Sequence, residues 1–200
     1  MAQIPADIRP IIDRSKELLQ EGRDEENREF LRAEMARRPD EPQLLFQAAL
    51  SAESDDEELE LARQSAALAR DPDLLTRVGH LLLRLGDVDA ARSAAKAAQP
   101  FFREGFTLEG EWAHLAATLL AERGEVDQAI KLMERIFAED PEVIDLGHDL
   151  AELHLRQSNA DRAREVVAEA LTHSADHARL EVLRAALEDL QEPGEGTTAS

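Results

Sequence analysis

Three strings in the second half of the chain share one layout: RLGDVDAA (Arg84 to Ala91), ERGEVDQA (Glu122 to Ala129) and RQSNADRA (Arg156 to Ala163). Each has a break, then an Asp at the same place (Asp89, Asp127, Asp161), then an Ala two residues later (Ala91, Ala129, Ala163), with separations of 38 and 34 residues. Recurrence at that interval implies a fold assembled from one small supersecondary unit used repeatedly, rather than from a single closed core.

After each break the pattern is helical. Ala129, Leu132, Met133, Ile136 and Phe137 fall at i, i+3, i+4, i+7 and i+8, as do Ala163, Val166, Val167, Ala170 and Leu171. Such spacing draws one apolar stripe along a helix. The shared Asp lies near the helix start, where a carboxylate can cap free N–H groups and meet the positive end of the dipole. Upstream of each break is a second stripe, with small residues in the middle: Leu75, Val78, Gly79 and Leu82; Ala113, Ala116, Ala117 and Leu120; Gly147, Leu150, Ala151 and His154. Small side chains let a neighbouring helix approach closely. Gly86 and Gly124 are placed to end their helices in a left-handed cap. Asp71-Pro72 and Asp140-Pro141 mark joins, since Pro suits the first turn of a helix.

A helix–turn–helix unit of 34 residues with small residues at these places and Pro near its end resembles a tetratricopeptide repeat. The likeness is clearest over residues 72–177, read as three units (72–109, 110–143 and 144–177). Residues 1–71 read as two degenerate units. Ile11, Leu18, Phe30, Leu31 and Met35 would form the core of the first, and the second is a shortened one carrying the acidic run ESDDEELE in or near its turn. Residues 178–191, with Leu180, Leu183, Leu187 and Leu190, read as a capping helix, and residues 192–200 as a disordered tail without apolar content to bury. Large aromatics usual in that family are mostly missing: Trp112 is out of register by one, and His154 stands where Tyr is common. The expectation is an all-α, right-handed α-solenoid of about five helix–turn–helix units. One such pair cannot cover its own apolar stripe, so stability grows as neighbours stack.

The resemblance implies that the first helix of each unit lines a concave binding face. The residues placed there are Thr76, Arg77, His80 and Arg84; then His114, Thr118 and Glu122; then His148, Asp149, Glu152 and Arg156. Asp73, Glu111 and Asp145 flank them. The implied function is non-catalytic binding of a protein or peptide, as a scaffold or adaptor. A chaperone-tail clamp of the type that uses Lys and Asn is not expected, because Lys16, Lys96, Lys131, Asn27 and Asn159 do not form that set on the face.

Charge and composition narrow the partners. Net charge is −20, which repels phosphate backbones and anionic lipid, so nucleic acid and membranes are not expected partners and a neutral or basic protein segment is. There is no Cys, which removes disulfides, thiol catalysis and thiolate metal sites. No basic stretch followed by an apolar run opens the chain, and a cytoplasmic location is the expectation. No GxSxG or glycine-rich phosphate loop occurs, and no cofactor and no bound metal are expected. Two other readings stay open. A metal or enzymatic centre could draw on His114, His148 and Glu152, since His148 and Glu152 share a helix face. The array could also pair with itself as a homodimer. His154, on an apolar stripe, is expected to be a hydrogen-bonded core residue, and His173 and His177 surface residues.

One stretch, QPFFREGFTLEGEW, holds Phe101, Phe102, Phe106 and Trp112 and comes after a helix whose stripe is all alanine (Ala91, Ala94, Ala95, Ala98). Thin side chains leave volume to fill. Phe101 and Trp112 are therefore expected to be mostly buried, with exposed aromatic anchors for a partner as the alternative.

Overall fold

In the computed structural model, residues 4–101, 109–139, 141, 145–173 and 178–189 are described. Among these, all regular structure is helical: α1 (Arg9–Gln20), α2 (Asp24–Arg37), α3 (Pro42–Ala49), α4 (Asp55–Leu68), α5 (Pro72–Arg84), α6 (Val88–Ala98), α7 (Glu109–Glu122), α8 (Val126–Glu139), α9 (Leu146–Arg156), α10 (Ala160–His173) and α11 (Ala178–Asp189), with a 3-10 turn at Gln99–Phe101. The chain divides into two compact units, Met1–Leu115 and Ala116–Ser200.

In the first unit, successive helices pair as α1–α2, α3–α4 and α5–α6. The pairing arises from the turns. Gly22 and Gly86 close them at φ 71° and 82°, in the left-handed region that only glycine enters without steric cost. Helices restart at polar caps: Ser54 accepts from the Glu57 N–H, Asp71 from Leu74 and Asp87 from Ala90. The cap of α6 is therefore Asp87 and not the recurrent Asp89, to which the repeat pattern pointed. Asp89 lies in the first turn, exposed, and pairs with Arg92 at 2.8 Å. ESDDEELE supplies the cap and first turn of α4, where four carboxylates meet the positive end of the helix.

The opening core gathers Ile8, Ile11, Ile12 and Leu44, with Ile4, Phe30 and Met35 packed against it. Leu18 and Leu31 are also buried. Further along, α5 packs on α6, with Leu74, Leu75, Val78, Leu81 and Leu82 of α5 and Ala91, Ala94, Ala95 and Ala98 of α6 all buried. Gly79 explains how close the packing is. A Cβ placed there would lie 2.6 Å from Leu115 Cδ2 and 3.7 Å from Ala94 Cβ. The space left by the alanines is thus taken partly by Leu115. Trp112 takes more of it: its ring is half-buried, and its indole N–H donates to the Ala95 carbonyl at 2.9 Å. Phe101 behaves differently. It is 47% exposed, contrary to expectation, because the 3-10 turn that holds it runs past the end of the alanine stripe. Phe102 and Phe106 lie outside the described residues.

In the second unit, α9 packs on α8, α10 and α11. Ala129, Met133, Ile136 and Phe137 of α8, Leu146, Leu150, Ala151 and Leu153 of α9, and Ala163, Val166, Val167 and Ala170 of α10 form the interior. Gly147 is the tightest point: a Cβ there would lie 2.6 Å from Ala170 Cβ and 3.4 Å from Phe137 Cε2. The turn between α7 and α8 has Gly124 at φ 80°, whereas the matching turn between α9 and α10 has Ser158 at φ 59°. Leu180 and Leu187 bury α11 against this core, and Leu190 lies outside the described residues. No helix among the described residues is long and apolar enough to cross a membrane.

Candidate partner-binding faces

In the first unit, the residues named from the sequence fall on α5 and the first turns of α7. Arg77 and Arg84 are exposed. Arg84 pairs with Glu58 of α4, and Arg77 pairs with no other described residue. His80 is half-buried, with Nε2 at 3.0 Å from the Glu111 carbonyl, so that nitrogen carries the proton and donates. Its ring lies 5.5 Å from that of His114, tilted by 50°. His114 itself is only 7% exposed. Thr76 must be withdrawn from the face. It is fully buried, and its hydroxyl donates to the Pro72 carbonyl one turn back, a bond that i−4 geometry offers any helical Thr.

In the second unit, Thr118 and Glu122 come from the last turns of α7, and His148, Asp149, Glu152 and Arg156 from α9. His148 is 7% exposed and forms the centre of a polar group. Its Nδ1 lies 3.1 Å from an Arg179 amino group and 3.3 Å from Asp149, and its Nε2 lies 3.7 Å from Glu152. A guanidinium can only donate and a carboxylate can only accept, so Nδ1 serves Arg179 or Asp149 according to the tautomer of the ring. Arg179, at the start of α11, also reaches Asp145 at 2.9 Å and Asp149 at 3.8 Å. Nothing in the sequence pattern singles out Arg179. It stands 31 residues from His148, and no local spacing links them.

Beside this group a cleft of about 130 Å³ opens between α7, α8 and α9. Glu122, Asp149, Glu152 and Arg156 line it above a floor that includes Met133 and Leu153. Glu122 and Arg156 pair with no other described residue.

The same geometry bears on a metal site. Among the described residues, the donors that converge are His148, Asp149 and Glu152, within 4.8 Å of one another; His114 is not one of them. The Arg179 guanidinium already sits against two of the three, and a cation would have to displace it.

His154 is buried, 5% exposed, with Nε2 at 3.5 Å from Glu134. Glu134 stands at the outer limit of a hydrogen bond to it, and Nε2 has no partner of good geometry among the described residues. Burial pushes its pKa below the usual histidine value, and the Arg162 charge adds to this while Glu134 opposes it. His173 is exposed, and His177 lies outside the described residues.

Stacked helical hairpins with glycine turns and small residues at the contacts define a helical-repeat protein. A family model described as tetratricopeptide repeat matches residues 120–187. No curated protein matches the sequence. Solved structures agree on the fold. A tetratricopeptide repeat protein from Parabacteroides merdae is 16% identical with a TM-score of 0.75, over 94% of this chain and 74% of that one. A thermophilic one from Thermus thermophilus is 19% identical with a TM-score of 0.67, over 90% and 98%. YrrB, described as a TPR protein with an unusual peptide-binding site, is 17% identical with a TM-score of 0.61, over 88% and 91%. The chain thus has the fold of these tetratricopeptide-repeat proteins, and the family's sequence pattern is matched over residues 120–187.

Proposed function

We propose that the chain is a non-catalytic scaffold that binds a protein or peptide segment on the polar faces of its first helices. The tetratricopeptide-repeat fold suggests protein–protein interaction as a class. The observation that carries the reading is that Arg77, Glu122 and Arg156 stand exposed on these faces, paired with no other described residue. Charges without internal partners are available to a partner, where they set register and on-rate more than affinity. The partner is neutral or basic, given a net charge of −20. The division into two degenerate units over 1–71 and three clearer ones over 72–177 belongs to the same reading, as does a cytoplasmic setting.

Affinity capture from native lysate tests it, using the wild-type chain beside an Arg77→Glu/Glu122→Lys/Arg156→Glu variant with an unchanged melting temperature. Proteins retained by the wild type and lost by the variant are expected. Identical partner lists from the two would overturn the reading.

A further inference from the structure

We infer that the cleft between α7, α8 and α9 receives one basic side chain, Lys or Arg, of the bound segment; this rests on the binding role proposed above. The first argument is charge. Glu122 and Glu152 line the cleft against a single Arg156, and Asp149, already beside Arg179, lines it too, so the lining carries an excess of negative charge. The second is shape. The floor includes Met133 and Leu153, both buried, with the carboxylates around it. A long side chain with an apolar stem and a charged tip matches that division, because the stem covers the floor while the tip stays at the polar rim. The volume of the cleft is about 130 Å³.

The helix that forms one wall of the cleft also holds a cation elsewhere. The protein already seats one of its own guanidiniums on α9: Arg179 lies 2.9 Å from Asp145, 3.1 Å from His148 and 3.8 Å from Asp149. Asp149 is common to both places, so the face that holds Arg179 continues into the cleft. Arg156 offsets one of the three carboxylates and so limits the cleft to a single added cation.

The test is selection of displayed random peptides of about 12 residues on the full chain, followed by anisotropy titration of one selected peptide. Selected peptides should share a Lys or Arg at one position. A Glu122→Gln/Glu152→Gln variant should bind the chosen peptide about tenfold more weakly. Replacing the shared basic residue of the peptide by Gln should abolish the difference between wild type and variant. An Arg156→Gln variant, which keeps all three carboxylates, should bind as tightly as wild type or more so. Peptides without a common basic position, equal binding by Glu122→Gln/Glu152→Gln, or weaker binding by Arg156→Gln would overturn this inference while leaving the scaffold reading in place. Failure to enrich any peptide would overturn both.

Discussion

Ser158 occupies the turn position where Gly86 and Gly124 stand in the neighbouring hairpins, at φ 59° rather than at a glycine. A left-handed conformation costs a non-glycine residue about 1–2 kcal/mol, and glycine gives back part of that through the freedom of its unfolded chain. Ser158→Gly is therefore expected to raise the Tm by about 2–4 °C in a thermal melt, equivalent to about 1 kcal/mol at this size. The two helical glycines respond differently to enlargement. At Gly79 the obstacle is the end of the Leu115 side chain, which can rotate away; at Gly147 it is the Cβ of Ala170, fixed to its helix. Alanine gains about 1 kcal/mol in helix propensity at either place, but overpacking costs about 1–3 kcal/mol where nothing can yield. Gly147→Ala should lower the Tm clearly, and Gly79→Ala little or not at all. His154 gives a pH signature. Because burial lowers its folded pKa, its neutral form contributes stability that is fully present above the unfolded value of about 6.5 and is lost as the pH falls from there toward the folded pKa. The Tm difference between about pH 7.5 and about pH 5.5 should shrink in His154→Phe. Equal differences in the two proteins would remove His154 from the account.

At the level of the element, the start of α6 joins two hairpins. One Asp87 oxygen accepts from the Ala90 N–H at 3.0 Å, and the other from Arg63 of α4 at 2.6 Å. These contacts, the amide first and the guanidinium second, hold its carboxyl below the usual Asp value. Removing the cap by Asp87→Ala is expected to cost about 1–2 kcal/mol, mostly from the amide bond, since Arg63 is half-exposed and surface pairs add little. Asp87→Asn keeps an acceptor but no charge. The depressed carboxyl contributes stability above its unfolded pKa, and this is lost as the pH falls through the folded one. The Tm gap between wild type and Asp87→Asn should therefore be widest near neutrality and close on acidification below about pH 4. A gap that stays constant would argue against the charge. The hairpins themselves are readable from sequence, because glycine turns, prolines at helix starts and small residues on the stripes are each local demands of the backbone. The cap of α6 is displaced by two residues from the recurrent Asp because Asp87 and Asp89 both fit a helix start, and only the turn geometry decides between them. Arg179 and the burial of Thr76 are not readable. One depends on a contact between distant segments, and the other on a hydroxyl turning back to its own helix.

For the whole molecule, charge is the dominant long-range term. Lys and Arg number 23 against 43 Asp and Glu, so most cations can find an anion while a surplus of carboxylates repels itself. Salt weakens both the pairs and the repulsion, but exposed pairs contribute only about 0–1 kcal/mol each, and the surplus of 20 should decide the sign. The Tm is expected to rise between about 20 mM and about 0.5 M NaCl, and a fall would mean that the ion pairs outweigh the surplus. With one Trp and no Tyr in the sequence, near-ultraviolet emission comes almost wholly from the indole that leans on the Ala95 carbonyl. The chain thus carries an intrinsic, label-free optical gauge of the α6–α7 seam. A red shift that precedes the loss of far-ultraviolet ellipticity on heating would time the opening of that seam separately from the melting of the helices around it.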